Sequence, residues 1–376
     1  MIKVGFDIRP LIFTQAGIRT YLYNLIAGLA RAGGCRLELF ICAPSRIDWK
    51  AISADISEDV VRLPHLSDAW GRFWETFLLP AAVSRTRCDV FHGGRFFVPR
   101  RLSCPSVVSI HDVAFRRFPQ FVMPRAFRYF DEAVSSSARR AAKIIVPSGA
   151  TASDLQTFYG VPETKISVVY EAAGAEFSGK RDADRIGSIK QKLGIKDRFI
   201  LSVGTIEPRK NYLNLIKAYA RLKSARDLPL VICGGSGWLY RDVFETVARL
   251  GLEQRVIFAG HVDDVDLAQL YSACELFVFP SFYEGFGLPV LEALQCGACV
   301  AASATSSIKE LFGNCIYQFR PEDPGSIAEA MERVLSDEAL RSRLVSDGKK
   351  RACDFSWDAA ARATLSVYRS VAGKMA

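Results

Sequence analysis

Short β-rich runs alternate with amphipathic helical patterns through both halves of this chain. The first half opens with an apolar run from Ile2 to Phe6, followed by a helical pattern from Ile18 to Ala32. The second half repeats this order, with Phe199 to Val203 followed by a helical pattern around Leu213 to Tyr219. Such alternation is typical of doubly wound parallel sheets. Because 376 residues are too many for one ordinary core, we predict an α/β protein with two domains.

One segment of the second half carries the pattern of a phosphate site. An aromatic strand from Leu276 to Phe279 leads through a Gly-x-Gly turn, Gly285 and Gly287, into a helix with Pro289 in its first turn. A helix start has backbone N–H groups without intrahelical partners and a positive dipole end, so it favours an anion. Glycines allow the backbone to approach a ligand that a Cβ atom would block.

Two carboxylates flank this predicted anion site. Glu284 lies in the turn and Glu292 lies one turn inside the helix. Acids beside a phosphate need a partner that donates hydrogen bonds, and sugar hydroxyls can be that partner. The combination predicts a site for a nucleotide sugar. Alternatively, Glu292 is an acid near the start of a helix that complements the helix dipole.

The spacing of Glu284 and Glu292 resembles the Glu-x7-Glu motif of retaining glycosyltransferases with the GT-B fold. Other segments fit the same family in the expected order and extend the resemblance over nearly the whole chain: Val146–Ser148, Ser153–Leu155, Lys165–Val168, Ser202–Asn211, Phe258–Val262 and Phe355–Trp357. The resemblance implies two Rossmann-like doubly wound domains facing a cleft. It implies an acceptor-binding domain at 1–175, a donor-binding domain at 176–355 and a helix at 356–376 that crosses back to the first domain.

The resemblance also implies roles for charged side chains. Arg209 and Lys210 would neutralise the leaving diphosphate, because its charge grows as the glycosidic bond stretches. Glu284 would lie near the transferred sugar, and Glu292 would bind ribose hydroxyls. Alternatively, Arg209 and Lys210 form a solvated basic pair at a helix start. We favour the first interpretation, because cations beside a helix N-terminus are misplaced unless an anion lies there.

The remaining site residues follow from the same resemblance. His111 follows a strand from Val107 to Ile110 and would bind a sugar hydroxyl or the acceptor; alternatively, it is a buried histidine bonded to a carbonyl. The family usually has a second glycine and an arginine after Gly17, where this chain has Arg19 and Thr20, so the role of Arg19 stays open. The residues expected to bind the donor are Gly17, Gly204, Val262, Gly285, Phe286, Gly287, Leu288 and Glu292.

Three short motifs are assigned structural roles. Asp264 and Asp266 form an Asp-x-Asp pattern at a helix start, where Asp is a capping or first-turn residue, so we expect no metal site and no cofactor. Cys296 and Cys299 form a lone CxxC, for which zinc or redox chemistry is not expected. The turn Gly234–Gly237 lacks the further glycine and the acid of a dinucleotide site, so NAD binding is not expected.

The net charge of +9 predicts an anionic partner. Residues 115–130 contain four arginines and five phenylalanines and no acid. This pattern suits an anionic membrane surface or a lipid-linked acceptor, or equally a helix with buried aromatics and solvated arginines. No nucleic-acid motif accompanies the charge. The start at Met1 does not resemble a signal peptide, no apolar run is long enough to span a bilayer, and the scattered cysteines suit a cytoplasmic protein.

These patterns and the resemblance predict a cytoplasmic, retaining, metal-independent hexosyltransferase that acts in bacterial surface polysaccharide or lipopolysaccharide synthesis. Mannose from GDP-mannose is the first expectation for the donor, and a glycan or lipid-linked glycan for the acceptor. The alternatives are a UDP-sugar-dependent transferase (glucose, galactose or N-acetylglucosamine) and a nucleotide-sugar epimerase of the same fold. A catalytically silent subunit that binds glycan or nucleotide is an alternative of another class.

Overall fold

The computed structural model describes residues 1–13, 17–41, 47–60, 73–223 and 227–373. The chain forms two compact units. The first comprises Met1–Ala172 together with Ser356–Ala376, and the second comprises Ala173–Phe355. The predicted domain boundary after residue 175 lies slightly C-terminal to this division.

The first unit is built on a parallel sheet of seven strands in the order β3-β2-β1-β4-β5-β6-β7. The strands are β1 Ile2–Asp7, β2 Cys35–Ile41, β3 Ile56–Val60, β4 Val90–Gly93, β5 Ser106–Ser109, β6 Lys143–Val146 and β7 Ile166–Val168. The helices between them are Pro10–Phe13, Gly17–Ala32, Trp49–Ile52, Leu79–Thr86 (preceded by a π-helical turn Trp74–Leu78), Ala114–Arg117, Pro124–Arg140 and Gly149–Tyr159.

The second unit is built on a parallel sheet of six strands in the order β10-β9-β8-β11-β12-β13. The strands are β8 Ile200–Val203, β9 Leu230–Cys233, β10 Val256–Gly260, β11 Leu276–Phe279, β12 Val300–Ser303 and β13 Tyr317–Phe319. The helices are Ala183–Leu193, Tyr212–Tyr219, Arg241–Arg249, Asp264–Ala273, Leu288–Cys296, Ser306–Phe312, Pro324–Ser336 and Glu338–Ala352. Both units therefore have the predicted doubly wound parallel sheet.

Strand order reverses between β8 and β11 in the second unit and between β1 and β4 in the first. In open α/β sheets, ligands bind beyond the carboxyl ends of the strands at such a reversal. The strands beside the reversal in the second unit are fully buried runs, Ile200–Val203 and Leu276–Phe279. Burial on both faces explains their continuous apolar sequence and fixes the loops that follow them.

The C-terminal helix Trp357–Ala372 is part of the first unit and packs on helix Gly17–Ala32. The approach is close: a Cβ atom at Gly28 would lie 3.0 Å from the backbone oxygen of Trp357. Within the described ranges, no helix is both long and apolar enough to cross a membrane.

The basic and aromatic segment 115–130 divides into a buried and an exposed part. Phe115 is buried and its ring contacts those of Phe127 and Phe130. Arg116 pairs with Asp131 at 2.6 Å, and Arg117 pairs with Asp154.

The exposed part of this segment includes Met123, Arg125, Arg128 and Tyr129 around the start of helix Pro124–Arg140. The buried aromatic rings match the structural interpretation of this segment, whereas contact of the exposed residues with an anionic membrane surface stays a prediction.

Candidate active site

Two loops meet at the carboxyl ends of β8 and β11, where the strand order of the second unit reverses. The loop after β8 turns at Pro208–Lys210 in a single 3₁₀ turn, and the loop after β11 runs from Pro280 to Gly287. A backbone hydrogen bond joins the two loops, because Phe282 donates its N–H to the carbonyl of Arg209 at 2.9 Å. Side chains predicted from separate motifs are thereby brought together.

Two cations and two carboxylates form one ion-pair network between these loops. Arg209 Nη1 lies 2.9 Å from Glu284 Oε2, and Lys210 Nζ lies 2.7 Å from Glu284 Oε1. The other terminal nitrogen of Arg209 lies 2.7 Å from Glu207 Oε1. Arg209 also donates to the carbonyl of Tyr283 at 2.9 Å. The guanidinium is therefore fixed in a forked geometry that lysine cannot reproduce.

The protein itself supplies anions beside Arg209 and Lys210, so the position of these cations does not by itself indicate a ligand, and their role on a diphosphate stays a prediction. Glu207 and Glu284 balance the two cations, and both carboxylates are nearly buried. The alternative of a solvated basic pair is wrong, since the side chains of Arg209 and Lys210 are only 21% and 11% exposed. The two cations are half-buried and are pre-organised by their carboxylate partners.

Glu284 stays ionised in this network. Burial alone would raise its pKa, but the charges of Arg209 and Lys210 and hydrogen bonds from Lys210 and Ser281 lower the pKa to about 2. Ser281 Oγ donates to Glu284 Oε1 at 2.6 Å. A carboxylate held in this way keeps its charge throughout the neutral pH range.

The loop after β8 is held by a residue that sequence reasoning passed over. Asn211 is buried, adopts the left-handed region with φ 61°, and donates from Nδ2 to the carbonyls of Pro280 (3.0 Å) and Pro321 (2.7 Å). Asparagine tolerates left-handed backbone better than most residues. An asparagine directly after two cations in a turn was the available signal.

The turn that carries Glu284 is held from the start of helix Ser306–Phe312. Ser306 Oγ accepts the backbone N–H of Glu284 at 3.1 Å. Ser307 Oγ makes hydrogen bonds to the carbonyls of Glu284 (2.8 Å) and Phe286 (3.0 Å). These serines lie after β12, the sheet neighbour of β11, which explains how a segment some 22 positions away reaches the turn.

Two of the predicted glycines are required by backbone conformation. Gly204 has φ 147° and Gly287 has φ 102°, values that side chains rarely allow. Gly287 caps helix Leu288–Cys296. A Cβ atom at Gly204 would lie 3.4 Å from the Lys210 side chain, an ordinary contact distance, so the backbone conformation and not the space is what favours glycine there.

The other residues of this unit that were predicted to bind the sugar donor differ in their location and in whether their side chains are buried. Gly285 lies in the same buried turn, whereas Val262 lies in the loop after β10. The side chains of Phe286 and Leu288 are buried, and the ring of Phe286 packs against Phe355. Phe286 and Leu288 therefore present backbone groups at the helix start.

Glu292 lies inside helix Leu288–Cys296 and is 8% exposed. Its Oε2 accepts a hydrogen bond from the hydroxyl of Tyr271 at 3.1 Å. Burial raises the pKa of Glu292 to about 8, against the lowering effect of this hydrogen bond and with further raising effects from Asp264 and Glu176. The two acids of the motif thus lie in opposite electrostatic environments, since Glu284 contacts cations and Glu292 does not.

Comparisons with known proteins agree with this architecture. Residues 186–351 match the family "Glycosyl transferases group 1", and residues 16–173 match "Glycosyltransferase Family 4". A relative named O-antigen chain mannosyltransferase B, from Escherichia coli, is 30% identical over 98% of this chain and 99% of its own length. The chain belongs to the group 1 glycosyltransferases.

Solved glycosyltransferases share the fold at low sequence identity. Sucrose-phosphate synthase from Thermosynechococcus elongatus has a TM-score of 0.80 and 21% identity, with 98% of this chain and 99% of that chain covered. The Anabaena protein HepE, solved with UDP-glucose, has a TM-score of 0.78 and 20% identity, with 98% and 100% covered. The predicted GT-B fold is confirmed.

Two predicted residues of this glycosyltransferase belong to the first unit. His111 follows β5, and both of its ring nitrogens have partners: Nδ1 lies 2.9 Å from Glu171 Oε1 and Nε2 lies 3.2 Å from the Gly94 carbonyl. The bond to a carbonyl matches the structural interpretation of this histidine, whereas its role in binding sugar stays a prediction. Gly17 begins helix Gly17–Ala32, and residues 14–16 of its loop lie outside the described residues.

The Asp-x-Asp motif lies in the first turn of a helix, as predicted. Asp263 caps helix Asp264–Ala273 by accepting the N–H of Asp266, and Asp264 and Asp266 occupy the first turn. In the described part of the chain, no three His, Cys, Asp or Glu side chains group as metal ligands. Metal independence itself stays a prediction.

The CxxC motif and the glycine turn are also parts of the fold. Burial raises the pKa of both Cys296 and Cys299 to about 12, so both are neutral thiols. A Cβ atom at Gly234 would lie 2.1 Å from the carbonyl oxygen of Gly204, so this glycine lets the loops after β8 and β9 pass each other.

Proposed function

We propose that the protein transfers a hexose from a nucleotide sugar to a glycan or lipid-linked acceptor in the synthesis of a bacterial surface polysaccharide or lipopolysaccharide. The convergence of Arg209 and Lys210 on Glu284, at the reversal of strand order, carries the proposal. Mannose from GDP-mannose is the first candidate donor, supported by the full-length similarity to an O-antigen mannosyltransferase.

In this proposal the cations act on the leaving group. The diphosphate gains charge as the bond to the sugar breaks, and Arg209 and Lys210 stabilise that charge together with the helix start after Gly287. The ionised Glu284 remains close to both cations, where it would face the partial positive charge of the sugar. The acceptor hydroxyl attacks the anomeric carbon from the face that the diphosphate leaves, the bond from that carbon to the diphosphate oxygen breaks, and the leaving phosphate accepts the hydroxyl proton. No carboxylate then serves as nucleophile, and attack on the same face retains the configuration.

His111 would contribute from the first unit. Its bond to the Gly94 carbonyl is the longer of its two hydrogen bonds, at 3.2 Å against 2.9 Å to Glu171. In our proposal the ring exchanges the carbonyl for a sugar or acceptor hydroxyl while Glu171 keeps its orientation. Gly17 would let the backbone of this unit approach the donor.

We also propose that the protein works in the cytoplasm and associates peripherally with the inner face of the membrane. The exposed group Met123, Arg125, Arg128 and Tyr129 supports this, because arginines beside exposed apolar side chains suit an anionic lipid surface.

The donor is tested by supplying purified protein with GDP-mannose, UDP-glucose, UDP-galactose or UDP-N-acetylglucosamine, with and without a lipid-linked glycan acceptor. We expect nucleoside diphosphate release that requires acceptor, with GDP-mannose preferred, and an NMR spectrum of the product showing a retained anomeric configuration. The similarity in fold to a protein solved with UDP-glucose makes a UDP-sugar the second candidate. Conversion of the donor sugar without acceptor would contradict transfer and indicate an epimerase.

A further inference from the structure

The carboxyl of Glu292 is held asymmetrically. Its Oε2 accepts the hydroxyl of Tyr271 at 3.1 Å, whereas Oε1 makes no hydrogen bond with any residue that the structure describes. Tyr271 is fully buried, and its ring packs edge-on against Phe277 (5.1 Å) and Phe177 (5.9 Å). The aromatic contacts fix the hydroxyl, and the hydroxyl fixes one oxygen of the carboxyl.

The charges around Glu292 disfavour its ionised form. Asp264 at the start of the neighbouring helix and Glu176 in the turn Ala175–Phe177 both raise its pKa, and Lys210 lowers it. Cys296, one turn further along the same helix, is a neutral thiol because burial raises its pKa to about 12. Lys349 of helix Glu338–Ala352 lies beside Gly297, at the C-terminal end of the helix that carries Glu292. With burial as the largest effect, the pKa of Glu292 is about 8, and the free protein holds a proton there at neutral pH.

A ribose diol requires the opposite protonation state. Two adjacent hydroxyls donate most strongly to a carboxylate, which accepts at both oxygens, whereas a protonated carboxyl must use one oxygen as a donor. The Tyr271 hydroxyl occupies one lone pair of Oε2 and leaves Oε1 available.

We propose that Tyr271 is the positioning residue of Glu292, holding Oε2 so that Oε1 is presented to the ribose hydroxyls of the nucleotide, and that ribose binding expels the carboxyl proton to solvent. This inference rests on the proposed function, because it takes the ligand to be a nucleoside diphosphate or its sugar ester. The balance is simple: one O–H bond of Glu292 breaks, the proton enters bulk water, and two hydrogen bonds from ribose replace it.

The test is calorimetric titration with GDP and with UDP from about pH 6 to 9, in buffers of different ionisation enthalpy, which counts the protons released. Near pH 7 the wild type should release close to one proton more than Glu292→Gln. Wild-type affinity should rise with pH by up to about tenfold per unit until about pH 8. Glu292→Gln should show only the dependence of the ligand's terminal phosphate, which titrates near pH 6.

Tyr271→Phe separates positioning from packing, because it keeps the ring and removes the hydroxyl. Losing this hydrogen bond destabilises the carboxylate, so the rise in affinity should move to higher pH and affinity near pH 7 should fall severalfold. Tyr219→Phe is the matched control, since Tyr219 is also buried in this unit and donates its hydroxyl to the carbonyl of Leu228 at 2.6 Å. It should leave the proton count and the pH profile unchanged.

The outcomes are distinct. Equal proton release by wild type and Glu292→Gln, or a Tyr271→Phe pH profile that superimposes on the wild type, would overturn this inference while leaving nucleotide binding intact. Failure of the wild type to bind either GDP or UDP at any pH would overturn the proposed function, and this inference with it.

Discussion

Lys210 donates a hydrogen bond to Glu284 over 2.7 Å, although the two residues lie 74 positions apart. The contact joins the loops after β8 and β11, and Arg209 reinforces it from the same 3₁₀ turn. It means that the cations proposed for the leaving group are already neutralised before any ligand binds. In our proposal a diphosphate would therefore have to share these cations with Glu284.

Arg209→Ala should lower kcat by about 10² or more, because the leaving diphosphate loses one of its two cations. It should also destabilise the fold by about 3–5 kcal/mol, since the buried Glu207 loses its ion-pair partner, whereas Glu284 keeps Lys210. A position in a loop would by itself predict only a small change in the free energy of unfolding for Arg209→Ala, but the loss of its ion pairs makes a larger change the expected result. Steady-state kinetics and urea unfolding measure both effects.

The control for Arg209 is Arg333→Ala, an arginine with 58% side-chain exposure paired with Asp337, which should change neither quantity. The double variant Glu207→Gln with Arg209→Ala removes one stranded carboxylate, so it should recover stability without recovering kcat. An unchanged kcat in folded Arg209→Ala would show that this ion-pair network does not act in the transfer reaction.

Asn211→Ala should destabilise the second unit more than Asn211→Gly. Both lose the bonds to the carbonyls of Pro280 and Pro321, at a cost of about 1–3 kcal/mol, and alanine adds about 1 kcal/mol for left-handed backbone. Asn214→Ala, which loses a single bond to the Pro321 carbonyl, should cost less than either. Urea unfolding ranks the three, and equal losses for alanine and glycine would show that the backbone of Asn211 is unstrained.

The sequence predicted the sheets well and the contacts of the site poorly. Strand Leu276–Phe279 and the helix that begins beside Pro289 lie where the pattern put them, because local periodicity and turn residues determine such elements. The pairing of Glu284 with Arg209, Lys210 and Ser281 could not be predicted. It depends on which loops meet at the sheet edge, and that is set by strand order.

The same limit explains the supporting residues. Ser306 and Ser307 reach the Glu284 turn only because β12 lies beside β11. The sequence pattern places Tyr271 among the apolar positions of a helix. The hydrogen bond from its hydroxyl to Glu292 is visible only in the structure.

Activity should survive excess EDTA, because in our proposal Arg209 and Lys210 supply the positive charge that a metal ion would otherwise provide. Asp264→Asn and Asp266→Asn should likewise remain active, since both residues belong to the first turn of a helix. Loss of turnover in EDTA, restored by Mn²⁺, would make Asp264 and Asp266 the first residues to test as ligands.

Binding to anionic vesicles should depend on Arg125 and Arg128. Replacing both by alanine should weaken binding at low salt by about 1 kcal/mol per charge, with the difference shrinking as salt is added. From the sequence alone, Arg116 and Arg117 would be equally good choices for this experiment. The structure makes them unsuitable, because their charges are paired with Asp131 and Asp154. Vesicle co-sedimentation measures the effect, and equal binding by wild type and the Arg125, Arg128 variant would refute the membrane role.

The most direct test of the account is whether the second unit binds a nucleoside diphosphate at the loops that carry Arg209, Lys210 and Glu284 and at the helix that carries Glu292. A ligand at 100 times its Kd stabilises a protein by roughly 2.7 kcal/mol, which a melting curve detects. We predict that GDP or UDP raises the Tm of the wild type, that Lys210→Met loses most of this rise, and that NAD has no effect. A rise in Tm with NAD alone would contradict the account.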